Sequence, residues 1–314
     1  MDLKNDYIIV TGGAGFVGKW MCEKLLTSGH NILVIDNFSN GTKSNLIKTI
    51  EYFDIDISNS KSFNNIPNYK FKCIIHLAAQ ASNAISFNSP IDDLNTNQIG
   101  TYNLLEFAKK RGINKFIYSS SMSTYGSTSQ FPTNENSEMM PESFYAVHKL
   151  AGEHYCRIFK EEYEIDYTIF RFYTVYGHGQ NLLNVNQGLL SIYLSYIINK
   201  QPILIKGSIE RIRDIIHVSD VVQAICLSIE STNSNNKIYN LGSGQARTIK
   251  QLIDSLTFEF GYKPGEYPII FEQGTPGDPF CTLADLTKIK MDLNWEPKIS
   301  PEEGIKLTVK SYKA

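Results

Sequence analysis

Thr11-Gly-Gly-Ala-Gly-Phe-Val-Gly18 lies between an apolar run, Tyr7-Ile-Ile-Val10, and a segment up to Ser28 in which Phe16, Val17, Trp20, Met21 and Leu25 recur at helical spacing. The order is buried strand, glycine turn, amphipathic helix. Gly13-x-Gly15-x-x-Gly18 fits the dinucleotide fingerprint, and Gly12-x-x-Gly15-x-x-Gly18 fits a second form of it. Glycines there let the backbone approach a pyrophosphate and let the helix pack close to the strand. The helix N-terminus adds free N–H groups and the positive end of its dipole. A second strand, Asn31-Ile-Leu-Val-Ile35, ends at Asp36, an acid placed to accept from both ribose hydroxyls and to repel a 2′-phosphate. Gly12, Gly15, Phe16, Val17 and Asp36 are therefore expected to hold NAD.

Further along, Asn37-Phe-Ser-Asn-Gly41 is a polar turn that sets Asn37, Ser39, Asn40 and Gly41 beside the adenosine ribose. Ile50 to Phe53 reads as a third strand; beyond it, Asp56 and Ile57 either hold the adenine or form a solvated turn. Cys73-Ile-Ile-His-Leu77 is a fourth strand, and Leu77, Ala78 and Ala79 leave room for a cofactor, while His76 reads as a core or turn histidine. A long amphipathic helix is expected from Pro90 to Arg111 and a fifth strand from Lys115 to Tyr118, running into Ser119 to Gly126. A helix from Phe144 to Tyr163 and a sixth strand from Tyr167 to Arg171 complete the series. This alternation predicts an α/β fold, a doubly wound parallel (Rossmann) sheet with ligands at the carboxyl ends of its strands. Beyond Arg171 the rhythm loosens. A division is expected into a cofactor domain, 1–171, and a smaller mixed α/β C-terminal lobe, 172–314, for the substrate, with some chain crossing back.

The 314 residues are 42% hydrophobic and carry a net charge of −2, which argues against a nucleic-acid or membrane surface. The five cysteines are scattered without metal-ligand spacing, so no metal is expected and reduced thiols in a cytoplasm are. Met1 to Asp6 is polar, with no signal-peptide pattern, and the longest apolar stretch, Leu189 to Ile198, is too short to cross a bilayer.

Tyr145-Ala-Val-His-Lys149 places a tyrosine and a lysine one helical turn apart on one face. A free phenol, with a pKa of about 10, is a poor base at neutral pH. An adjacent ammonium and the positive ring of an oxidised nicotinamide favour the phenolate. Tyr145 is then the base that takes a proton from a sugar hydroxyl as hydride leaves the same carbon. Lys149 lowers the phenol's pKa and holds the nicotinamide ribose, and Ser121 orients the hydroxyl. Tyr-x-x-x-Lys alone arises by chance in many helices; here it follows the fingerprint and a strand-end serine cluster.

These features resemble the extended short-chain dehydrogenase/reductases, specifically the sugar-nucleotide epimerase/dehydratase group. The likeness also rests on Asn97-Gln-Ile-Gly-Thr101, Arg171-Phe-Tyr-Thr-Val-Tyr-Gly177, Arg213-Asp-Ile-Ile-His-Val218, Asn240-Leu-Gly-Ser-Gly244 and Pro276-Gly-Asp-Pro279. It implies a nucleoside-diphosphate sugar bound by Ser82, Ser121, Met122, Ser123, Thr174, Arg211, Arg213 and Asp278, with Arg213 on the diphosphate and Asp278 near the nucleotide ribose. Asn97 would support the active-site strand or a water, or lie on the helix surface. The resemblance also implies a homodimer through a four-helix interface and a place in surface-polysaccharide synthesis.

Where 4,6-dehydratases of the group read Thr-Asp-Glu, this chain has Ser121-Met122-Ser123, which supplies no acid for elimination unless Glu135 swings in. Thr174 stands where Asn is usual, as in uronate 4-epimerases. Arg211 stands where Gln is common, and His178 replaces a usual Pro in a loop. The resulting expectation is oxidation at a sugar 4-hydroxyl, as a 4-epimerase through a transient 4-keto sugar. A 4-dehydrogenase or 4-keto reductase with tightly bound NAD(H), and a non-catalytic dinucleotide sensor, stand as alternatives.

Overall fold

The computed structural model describes residues 6–184 and 188–313. The polar stretch at Met1 to Asn5 lies outside them. β1 (Tyr7–Thr11), β2 (Asn31–Asp36), β3 (Glu51–Asp54), β4 (Phe71–His76), β5 (Lys115–Ser121), β6 (Asp166–Phe172) and β10 (Lys237–Leu241) form a seven-stranded sheet in the order β10-β6-β5-β4-β1-β2-β3. Every neighbouring pair in it is parallel.

Alternation along β1 shows how the sheet is covered on both faces. Ile8 and Val10 join a core with α1 (Phe16–Thr27), α7 (Val218–Glu230) and α9 (Thr287–Leu293), whereas Ile9 joins one with α4 (Gly100–Arg111) and α5 (Phe144–Tyr163). Successive side chains of a strand point to opposite faces, so a strand buried on both reads as an unbroken apolar run. The third strand begins at Glu51 rather than Ile50, and the fifth extends through Ser119-Ser-Ser121.

The expected helix from Pro90 to Arg111 is helical throughout but irregular. α3 (Pro90–Asp93) passes through a π-helical turn, Leu94–Ile99, into α4. A hydrophobic period cannot reveal one widened turn, and such turns often mark functional sites. α5 is capped by Ser143, whose hydroxyl accepts from Ala146 N at 3.1 Å. It lies hard against β5: a Cβ on Gly152 would sit 2.3 Å from the Tyr118 hydroxyl. A buried ion pair fastens its middle to β6, where Arg171 Nη2 and Nε meet Glu153 Oε2 and Oε1 at 2.7 and 3.0 Å.

Beyond β6 the chain leaves the sheet and returns. β7 (Thr174–Tyr176), β9 (Ile212–His217) and β11 (Ala246–Thr248) form a three-stranded sheet, and β8 (Ile203–Lys206) pairs in parallel with β12 (Ile269–Glu272). α6 (Leu189–Ile198), α8 (Ile249–Phe258) and α10 (Pro301–Lys313) enclose a third core with them. Between these pieces α7 and β10 cross back to the main sheet.

Candidate active site

A cavity of about 690 Å³ runs from the β1–α1 turn, over the ends of β4 and β5, to the β8–β9 region. Gly12, Gly15, Phe16, Val17, Asp36, Asn37, Ser39, Asn40 and Gly41 line one end, with Asp56, Ile57, Leu77, Ala78 and Ala79. Ser82, Ser121, Met122, Ser123, Tyr145, Lys149 and Thr174 line the middle, and Arg211, Arg213 and Asp278 the far end. Every residue singled out for cofactor, substrate or catalysis thus faces one space.

The first end has the features a dinucleotide needs. Gly12 has φ +70°, and a Cβ there would lie 2.7 Å from Ala78 N, so the small residues that follow β4 close directly on the turn. α1 has no capping side chain among the described residues and no acid in its first turn, which leaves its N–H groups for an anion. Asp36 accepts from Ala14 N at 2.9 Å and from Phe38 N at 2.8 Å, which fixes the carboxylate and leaves it lone pairs to accept ribose hydroxyls. Asp56 is an exposed turn acid that accepts from Ser58 N and Oγ, while Ile57 is buried beside it.

In the middle, Tyr145 lines the cavity beside Ser121; burial pushes its phenol up to about 12, with the Ser121 hydroxyl acting to lower it. The Ser121 oxygen accepts from Ser123 Oγ at 2.8 Å and from Ser123 N at 3.2 Å, so its own proton is free to be donated. Lys149 is buried, donates to Ser119 O at 2.8 Å and stands 5.0 Å from the Tyr118 ring. Desolvation pulls this ammonium down to about 8, with Asp93 acting in the opposite direction. The bond to Ser119 O aims the Lys149 ammonium at β5, and Ser121 is the group acting most directly to lower the phenol's pKa.

At the far end Arg213 Nη2 meets Asp278 Oδ1 at 2.8 Å and Arg211 Nη1 bonds the other carboxylate oxygen. Two guanidiniums share one carboxylate, leaving net positive charge where a diphosphate could lie. Glu135 does not swing in: it is tied to Asn240 N at 2.8 Å, and its carbonyl accepts from Arg171. His76 is a core histidine between Thr11 Oγ1 (2.8 Å) and Thr101 Oγ1 (3.0 Å), held well below its ordinary pKa by burial. His178 packs against Trp20 with the rings tilted by 58° and their centroids 4.5 Å apart, outside the lining. Asn97 is buried, not on the helix surface, and donates to Gln80 O and Asp93.

Residues 8–242 match the NAD dependent epimerase/dehydratase family. The chain belongs to that family. A putative UDP-glucose 4-epimerase of Methanocaldococcus jannaschii is 33% identical over 96% of this chain and 97% of its own length. Among solved structures, the UDP-glucose 4-epimerase of Thermotoga maritima with UDP-glucose superposes with a TM-score of 0.92 at 36% identity, covering 98% of each chain. The UDP-glucuronic acid 4-epimerase of Bacillus cereus, in complex with UDP-glucuronic acid and NAD, gives a TM-score of 0.88 at 27% identity over 98% of this chain and 99% of that one.

For a member of this family, the sequence reading missed one wall. Leu189, Ile192, Tyr193 and Tyr196 line the cavity from α6, with Lys206 and Glu272 opposite each other in the β8–β12 register. The spacing 189, 192, 193, 196 is one helical face and was available as a signal.

Proposed function

We propose that this chain is an NAD-dependent 4-epimerase of a UDP-sugar. The observation that carries the reading is the phenol of Tyr145, beside Ser121, midway along one cavity between a dinucleotide cradle and an arginine pair. The 4-epimerases among the relatives support it. Residues 1–171 would hold mainly the cofactor and 172–314 mainly the nucleotide sugar.

NAD, when bound, would supply the hydride acceptor and donor for the sugar's C4 and a positive ring near the phenol. Gly12, Gly15 and the α1 N-terminus would hold its pyrophosphate, and Asp36 its adenosine ribose. Tyr145 takes the C4 hydroxyl proton. A phenol near 12 keeps its proton at neutral pH, so the charge of Lys149 is needed in the same pocket. Ser121, its oxygen satisfied by Ser123, donates to the sugar oxygen or the phenolate. Arg211 and Arg213 hold the diphosphate while the 4-keto sugar turns to present its other face, and Tyr145 returns the proton to the C4 oxygen as C4 is reduced on that face. Elimination is not part of the reading, since Glu135 is fixed behind β6.

Incubation with UDP-glucose, UDP-N-acetylglucosamine and UDP-glucuronate, each analysed for C4 stereochemistry, tests this. Interconversion of a 4-epimer pair without net NADH is expected. An accumulating ketone or stoichiometric NADH would replace it with the 4-dehydrogenase or reductase reading.

We also infer a homodimer through α3–α4 and α5, supported by exposed Ile91, Tyr102, Val147 and Ile158 on those helices. Sedimentation should give twice the 35.5 kDa chain mass; a monomer at micromolar concentration would remove this assignment. Five free thiols support a cytoplasmic setting, and no helix among the described residues is long and apolar enough to cross a membrane.

A further inference from the structure

Behind the catalytic helix lies a buried polar cluster that the mechanism above does not use. Asp93, fully buried at the end of α3, accepts from three nitrogen donors. His148 Nδ1 is 2.5 Å from Oδ1, while Gln80 Nε2 at 2.5 Å and Asn97 Nδ2 at 3.1 Å reach Oδ2. Three N–H donors converging on two oxygens suit a carboxylate anion. His148 is the residue before Lys149 and one turn from Tyr145. Asn97 belongs to the π-helical turn, which brings its amide back to Asp93. Gln80 in turn fixes Ser82 at the cavity wall, through Ser82 N at 2.7 Å and Ser82 O at 2.8 Å.

We propose that Asp93 is the fixed counter-charge that keeps Lys149 an ammonium, and that His148, Gln80 and Asn97 exist at these positions to hold that charge in place. Lys149 needs such a partner. Among the described residues its one hydrogen bond goes to a neutral carbonyl, and the titratable groups packed around it offer no free carboxylate. They are His76 from β4, Tyr118 from β5, Tyr145 and His148 from its own helix, and Glu153, whose charge is taken by Arg171. Asp93, held against His148 next to the lysine, is the carboxylate whose charge favours the protonated form. It makes no ion pair with Lys149; it acts through the dry interior, where charges are weakly screened. Asp93 is therefore a positioning residue, setting a protonation state without touching substrate. The same charge disfavours the Tyr145 phenolate, so the network trades a harder phenol for a secure cation.

The inference rests on Lys149 being the site's cation, but its first test needs no turnover. Protein labelled at lysine Cε is titrated by NMR, with the Lys149 signal assigned by its loss in Lys149→Arg. The parent midpoint is expected near 8. Removing a neighbouring negative charge destabilises the ammonium, so in Asp93→Asn the midpoint should fall by about one pH unit or more. Asp93→Glu should restore it, and His148→Gln, which keeps the carboxylate, should leave it nearly unmoved. Should Asp93→Asn not fold, Asp93→Ser carries the same expectation. An unchanged midpoint in the uncharged variant, or equal shifts in the Asp93 and His148 variants, overturns the proposal. In turnover, the alkaline limb of kcat should move to lower pH by the same amount as the midpoint. If no UDP-sugar turns over but the midpoint moves, the 4-epimerase reading fails and the counter-charge stands.

Discussion

Tyr145→Phe is expected to lower kcat by about a thousandfold or more while leaving the fold and NAD affinity in place. The substitution removes one oxygen from a half-buried ring. Ser121 beside it keeps the two bonds it accepts from Ser123, so no buried group is stranded. What is lost is the only group in the arrangement placed to take the C4 proton and give it back. Because the same oxygen acts in both half-reactions, the loss should appear in single-turnover oxidation as well as in steady-state interconversion. KM should change little, since the diphosphate end of the cavity is untouched. Chromatographic separation of the UDP-sugar epimers gives kcat, and an unaltered urea midpoint shows that the fold survives. Turnover within tenfold of the parent would mean that another group is the base.

Gly12→Ala is expected to produce the other large effect, on cofactor binding and stability together. Gly12 holds φ +70°, where side chains are disfavoured by about 1–3 kcal/mol. The new Cβ would also lie 2.7 Å from Ala78 N and 2.8 Å from Ala78 Cα, both backbone atoms that cannot rotate away. Overpacking of that kind adds about 1–3 kcal/mol. The strain falls at the junction of β1 and β4 that floors the cofactor groove. The urea midpoint should drop by an amount worth several kcal/mol, and NAD affinity by at least about tenfold. Calorimetric titration with NAD checks the second point. An alanine variant that binds NAD like the parent would show that this turn is not the cofactor's floor.

How far the chain could be read in advance follows from where the information lies. Strand runs such as Asn31-Ile-Leu-Val-Ile35, and the glycine turn, are local patterns, and they place Gly12, Asp36, Ala78 and Ser121 at strand ends along one cavity. Tyr145 and Lys149 followed from helical geometry. What the pattern could not carry was direction within a face. Lys149 and Tyr145 share a helix side, yet the lysine reaches Ser119 rather than the phenol, because β5 continues three residues past Tyr118 and offers a carbonyl. The π-helical turn at Leu94–Ile99 was illegible for a similar reason, since one widened turn does not break the run of polar and apolar residues. The Asp93–His148 contact joins positions 55 residues apart, and nothing local distinguishes that aspartate from the exposed Asp92 beside it. The α6 face was visible at helical spacing, but only the three-dimensional path shows that it turns toward the cavity.

The claim under all of this is that the sugar's C4 is oxidised and reduced again within one cavity, without exchange of its hydrogen. UDP-glucose deuterated at C4, or whichever UDP-sugar is turned over, tests it most directly. The account predicts that the 4-epimer forms with the deuterium still on C4 and no net NADH. Epimer formed with hydrogen from solvent at C4, or deuterium released with a lasting ketone, would contradict it.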